Sequence, residues 1–128
     1  MGMYTELFFT ARLKKDTPEE VVAILKHLFE EGSYDLGLSD KPNHEFFECH
    51  RWDCIGNMSS FYFTPFPLSA MRKLQGSYFI TSRSDLKNYD GEINKFIDWV
   101  TPYLEGYEGD CIGWTHYEES EQPTLLFI

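Results

Sequence analysis

The hydrophobic pattern begins with alternation. Between residues 4 and 13, Leu7, Phe9 and Leu13 fall on one side of an extended chain, and Glu6 falls on the other. This two-residue period is typical of a strand with one buried face. The pattern therefore predicts a first strand that turns one face to a core and the other outward.

Two later segments have the spacing of amphipathic helices. Thr17, Pro18 and Glu20 have the residue types of a capping box with proline at the first helical position, and they predict the start of helix one. Asp90 is the predicted cap of helix two. The apolar stripes are Val21, Val22, Leu25, Leu28 and Phe29 in helix one, and Ile93, Phe96, Ile97, Val100 and Leu104 in helix two. Both stripes predict a single buried face.

Strands are predicted in five further segments, which are rich in aromatic or β-branched residues: 46–55, 59–64, 77–83, 110–118 and 124–128. Gly56 and Asn57 suit a hairpin turn between the first two of them. Residues 33–45 have no clear period and predict a long loop. The path of residues 65–76 is not predicted.

The predicted order of elements is β-α-β-β-β-α-β-β. Two amphipathic helices and about six short strands most economically form a two-layer α+β sandwich, in which a mostly antiparallel sheet has both helices on one face. This arrangement is similar to the ferredoxin-like topology. A chain of 128 residues suits one core, and no internal repeat or linker indicates a second domain. We therefore expect a single domain over residues 1–128.

Charge narrows the classes of partner. The chain has 21 acidic and 11 basic residues and a net charge of -10, so much of its surface repels a phosphate backbone and we expect no nucleic-acid partner.

No apolar run approaches the roughly 20 residues that span a bilayer, and the N-terminus lacks a signal-peptide pattern. We expect a cytoplasmic protein with no membrane partner. Its cysteines, Cys49, Cys54 and Cys111, are then expected to be reduced.

Residues 49–54 bring a thiol, an imidazole and a carboxylate together within six positions. On the predicted strand, Cys49 and His50 point to opposite faces and cannot pair as nucleophile and base. The interval between Cys49 and Cys54 does not match a zinc motif, and the four histidines contain no metal-binding grouping. The sequence therefore favours a protein with no catalytic residue, no metal and no cofactor.

Aromatic residues are frequent, at 17% of the chain. Strand alternation sends about half of each strand's side chains away from the helices. Tyr4 and Phe8 face that way in the first strand, and aromatic residues of the other strands, such as Trp52, Phe79 and Trp114, occupy positions of both parity. The second sheet face is therefore expected to be partly apolar. An apolar face of this kind marks an interface or a ligand groove, unless it is explained by packing alone. We expect a second copy of the protein, or the long loops, to cover this face.

A resemblance extends over most of the chain. It rests on the segments MYTEL at 3–7, KDTP at 15–18, RW at 51–52, LKNY at 86–89, EI at 92–93, KF at 95–96, Trp99, PY at 102–103, YEE at 117–119 and PTL at 123–125. These segments resemble a family of small, acidic, uncharacterised proteins from bacteriophages and bacteria that has no assigned activity. The resemblance implies a bacterial or phage setting and no catalytic residue.

The leading hypothesis is a non-enzymatic binding or interaction protein. It uses an aromatic sheet face, or the loop at 33–45, to bind a protein partner or itself. The alternative is a protein that binds a small anionic ligand, or a small hydrolase, with Arg51 and Arg83 as anion anchors. Its stacking walls are expected to be Trp52, Tyr89 or Trp114. A third class, a binder of single-stranded nucleic acid, shares the aromatic face but lacks the basic surround.

Overall fold

The computed structural model describes residues 4–30, 41–56 and 68–128 of the chain. The strands are β1 (Thr5–Arg12), β2 (Leu68–Leu74), β3 (Ser77–Leu86), β4 (Cys111–Tyr117) and β5 (Thr124–Phe127). The α-helices are α1 (Glu19–Phe29) and α2 (Glu92–Val100). Short 3-10 helices lie at Glu45–Glu48, Trp52–Cys54 and Thr101–Tyr103. No helix in these described ranges is long and apolar enough to cross a membrane.

The five strands form one antiparallel sheet in the order β2-β3-β1-β4-β5. Because β3 is antiparallel to both of its neighbours, β1 and β2 are parallel with one strand between them. The same relation holds for β3 and β4 across β1, so the first four strands and two helices have the split βαβ topology of ferredoxin-like proteins. β5 adds an edge strand beside β4. The predicted two-layer α+β architecture is confirmed, with five described strands.

The core lies between the sheet and the two helices. The ring of Phe9 on β1 lies 5.9 Å from that of Phe29 on α1 and 5.3 Å from that of Phe96 on α2. Both helices therefore cover the same face of the sheet, as the alternation in β1 predicts. The ring of Phe46, which precedes β2, lies 5.4 Å from that of Phe96 and closes the aromatic centre of the core. All four of these rings are fully or almost fully buried.

The predicted strand at 46–55 is wrong, because this segment forms two 3-10 helices. Phe46 and Phe47 are adjacent in sequence and both are buried, which one face of a strand cannot achieve. His44 supports the turn, since its Nδ1 accepts a hydrogen bond from the backbone N–H of Phe46 at 3.0 Å. Its Nε2 lies 2.9 Å from a carboxylate oxygen of Asp98 on α2. The turn is therefore tied to the helix layer.

Other predictions for the middle of the chain have mixed outcomes. The predicted strand at 59–64, residue 57 of the predicted hairpin turn and residues 33–40 of the predicted loop lie outside the described residues. Strand β2 falls in the segment 65–76, for which no path was predicted. The strand predicted at 77–83 is confirmed and extends to Leu86.

Both helix starts differ from the predicted caps. Pro18 occupies the cap position of α1 without a side-chain bond, and the hydroxyl of Thr17 donates to the backbone oxygen of Lys14 at 2.6 Å. Gly91 is the cap residue of α2, with a left-handed φ of 71°. The side-chain oxygen of Asn88 accepts a hydrogen bond from the N–H of Ile93 at 2.9 Å. The capping box and the Asp90 cap are therefore wrong, although both helices form.

Candidate functional site

The face of the sheet that points away from the helices is called the outer face here. Strand alternation and the pairing register assign its side chains. They include Glu6, Phe8, Thr10 and Arg12 from β1, Ala70 and Arg72 from β2, Phe79, Thr81, Arg83 and Asp85 from β3, Trp114 and His116 from β4, and Leu125 and Phe127 from β5.

An aromatic row crosses the middle of the outer face. Phe8 is the register partner of Trp114, and Leu125 pairs with Trp114 on the other side. The rings of Phe8 and Trp114 stack with their centres 5.6 Å apart and an angle of 13° between their planes. The guanidinium carbon of Arg83 lies 5.2 Å from the centre of the Trp114 ring. Four adjacent strands thus present a continuous surface of aromatic, aliphatic and guanidinium groups.

A buried carboxylate holds the arginine of this row. Nε of Arg83 donates to Oε1 of Glu6 at 2.7 Å, and Glu6 is only 1% exposed. A carboxylate can be buried at this depth when a charged donor is bound to it. The ion pair therefore fixes the guanidinium beside Trp114, and preorganised side chains of this kind lose little freedom when a partner binds.

A second row lies near the hairpin that joins β2 and β3. Phe79 pairs with Arg12 of β1 and with Arg72 of β2, so two arginines flank one ring. The guanidinium carbon of Arg12 is 5.7 Å from the centre of that ring, which is on an exposed side chain. Of the four arginines in the sequence, Arg12, Arg72 and Arg83 thus lie on the outer face.

One end of the outer face carries negative charge. Asp85 lies opposite Glu6 in the register and is 8% exposed. Burial, together with the smaller effect of the negative charges of Glu6 and Glu118, raises the pKa of Asp85 to about 6. The structure gives Asp85 no hydrogen-bond partner among the described residues. Ionised Asp85 is therefore in an unfavourable environment at neutral pH.

The five side chains that the sequence proposed as a site fall in four places. Arg83 and Trp114 are together on the outer face. Trp52 is buried and packs edge-on against Phe47, with ring centres 5.1 Å apart, so it belongs to the core and not to a stacking wall. Arg51 lines a small cavity of about 50 Å³, and Tyr89 lines a separate polar cleft of about 540 Å³. No described contact joins Arg51 to Arg83.

Two arginines of the outer face were not among the site residues that the sequence proposed. Arg12 has the same parity in β1 as Phe8, so strand alternation carried the signal for its position. Arg72 lies in β2, whose path was not predicted, so its position beside Phe79 had no signal in the sequence.

The Cys49–Cys54 segment has a different geometry from the predicted strand. Cys49 is buried, His50 is exposed, and Cys54 is intermediate. Burial raises the pKa of the Cys49 and Cys54 thiols, which disfavours the reactive thiolate. Within the ranges that the structure describes, no group of three or more His, Cys, Asp or Glu side chains is arranged to hold a metal ion.

Comparisons with protein-family models, curated proteins and solved structures find no match to this chain. The family of phage and bacterial proteins that its sequence resembles therefore stays a prediction.

Proposed function

We propose that this chain is a cytoplasmic, non-enzymatic binding protein of bacterial or phage origin, and that the outer face of its sheet binds a protein partner. The observation that carries the proposal is the set of arginines and aromatic rings on this face. Protein interfaces are enriched in Arg, Trp, Tyr and Phe and depleted in Lys, Glu and Asp. The residues that dominate binding energy are most often Trp, Tyr and Arg.

Exposure of apolar side chains supports the same proposal. Phe79, Leu125 and Phe127 are 38%, 53% and 51% exposed. These side chains project from paired strands, so a partner orders little additional backbone when it contacts them. The outer face is therefore partly apolar. A fully solvated polar face would have excluded an interface.

The charge of this face favours an acidic partner. Arg12 and Arg72 are exposed beside Phe79, in a chain whose net charge is -10. A two-fold dimer through this region would bring like charges together wherever the axis passes near them. Carboxylates of another protein would pair with both guanidinium groups. A second copy of this chain is thus a weaker proposal than an acidic, partly apolar protein surface.

The test is a selection from a display library of random peptides, with affinities then measured for the enriched sequences. We expect the enriched peptides to combine acidic and apolar residues. The double variant R12E/R72E should bind them at least about tenfold more weakly, because each lost charge pair at an interface is worth 1 kcal/mol or more. Hydrogen-exchange protection by the peptide should map to β1, β2, β3 and β4.

The control is K41E/K95E, which changes the net charge equally at two lysines away from the outer face. It should keep wild-type affinity. Peptides that bind both double variants equally, or that protect other elements, would contradict the proposal. Tighter binding of a labelled single-stranded oligonucleotide would favour base stacking on the sheet instead, and a solution mass of twice the chain would favour a second copy.

A further inference from the structure

A basic cleft lies where the turn after β1, helix α1 and the β2–β3 hairpin meet. Its volume is about 430 Å³. Four lysines line it: Lys14 and Lys15 from the turn, Lys26 from α1 and Lys73 from β2. These are four of the seven lysines in the chain. The cleft is on the helix side of the sheet and is separate from the outer face.

Local backbone contacts fix the walls of this cleft. The N–H of Leu13 donates to the backbone oxygen of Tyr78 at 2.9 Å, which joins the end of β1 to β3. Tyr78 is also the register partner of Lys73 across the hairpin. The hairpin turns through Gln75 and Gly76, which have left-handed φ values of 51° and 82°. The lysines therefore project from ordered backbone.

Positive charge is in excess among the described residues that line the cleft. Glu19 is the single carboxylate among them. None of the four lysines forms an ion pair with a carboxylate in the described part of the chain. The chain has 21 acidic and 11 basic residues, so carboxylates are in excess. The composition of the chain therefore does not explain why these four lysines lack a carboxylate partner in its described part. An anion in the cleft would neutralise lysine charges that have no carboxylate partner among the described residues.

Two of the lysines are held against the same ring. Nζ of Lys26 lies 5.2 Å and Nζ of Lys73 lies 5.4 Å from the centre of the Tyr78 ring. A ring face attracts each ammonium group, but two like charges near one ring repel each other. A bound anion would offset this repulsion, because it would attract the ammonium groups of both Lys26 and Lys73. Lys14 and Lys15 would supply further positive charge at the rim.

We propose that this cleft binds a small ligand that carries a chain of phosphate groups. Lysine ammonium groups bind phosphate oxygens as point charges, and the cleft volume is within the range of small-molecule sites. A long polyanion would extend from the cleft over an acidic surface and be repelled, whereas a small ligand stays within one Debye length of the lysines. The site differs from the Arg51 and Arg83 pair that the sequence suggested for an anion.

The experiment uses sodium tripolyphosphate as the probe, at near-physiological ionic strength, with titration calorimetry on the full chain. We expect saturable binding by wild-type protein and a rise in melting temperature with probe concentration. The double variant K26Q/K73Q should bind at least about tenfold more weakly, which corresponds to about 1.4 kcal/mol. Amide shifts in the NMR spectrum of wild-type protein should centre on Lys26, Lys73 and Tyr78.

The matched control is K87Q/K95Q, which removes the same charge from two lysines that do not line the cleft. Equal losses in both double variants would show a long-range charge effect and overturn the proposal. The absence of saturable binding, or shifts centred on other residues, would also overturn it. An oligonucleotide or an anionic lipid vesicle that binds the same lysines more tightly than tripolyphosphate would replace the small ligand with a macromolecular partner.

Discussion

Gly113→Ala is expected to destabilise the fold by about 4 kcal/mol or to prevent folding, because the new methyl group has no space. Gly113 lies in β4 with a φ of 145°, which is a backbone conformation that side chains rarely adopt. A Cβ atom at this position would overlap the carbonyl oxygen of Phe8, and it would lie 2.8 Å from the carbonyl carbon of Phe8 and 3.1 Å from Cα of Phe9. These are backbone atoms of β1, so no rotamer change relieves the overlap.

Urea or thermal unfolding would measure this effect. Gly109→Ala is the matched control, because Gly109 also has a left-handed φ, 96°, but no atom lies within 4 Å of its added Cβ. That variant has only the conformational strain, about 1 kcal/mol. Equal stability of the two variants would mean that β1 and β4 do not approach as closely as the structure shows.

The same close approach supports the proposed binding face. Phe9 and Gly113 are register partners, and the next pair along the two strands is Phe8 and Trp114. Without a side chain at Gly113, the strands meet closely enough for the neighbouring rings to stack on the outer face. One glycine therefore links the stability of the sheet to the geometry of the aromatic row.

The elements with clear periodicity were predicted from sequence, and those without it were not. The stripes of α1 and α2 and the alternation in β1 predicted buried faces, and residues such as Phe9, Phe29 and Phe96 do meet in the core. The strand predicted at 46–55 rested on the aromatic content of this segment, and its parity does not support a strand. Phe46 and Phe47 are neighbours and both apolar, which already argued against a half-buried strand.

The outer face was predictable in composition but not in arrangement. Alternation shows that the side chains of Trp114 and Arg83 each lie on one of the two faces of the sheet. It does not show that the two side chains are neighbours. Their contact depends on the register between β1, β3 and β4, which are far apart in sequence. The burial of Glu6 likewise depends on its pairing with Arg83. Local pattern alone carries no information about such contacts.

Asp85→Asn is expected to stabilise the protein by about 2–3 kcal/mol at pH 8, since a difference of about two between the folded and unfolded pKa values corresponds to about 2.7 kcal/mol. The folded-state pKa of Asp85, about 6, is above its ordinary value of 3.8. The folded state therefore binds this proton more tightly than the unfolded state. Stability from this group is fully present below pH 4, and it is lost as the pH rises to about 6 and beyond.

Asparagine keeps the shape of the protonated carboxyl group and can donate a hydrogen bond as that group does. The variant should therefore show its full gain above pH 7, and the gain should disappear as the pH falls towards 4. Thermal unfolding between these limits measures the difference, with Asp16→Asn in the exposed turn before α1 as a control of equal charge change. Parallel stability curves for wild type and Asp85→Asn would contradict the assignment. A gain confined to high pH would show that ionised Asp85, facing Glu6 and Glu118, opposes folding at one end of the outer face.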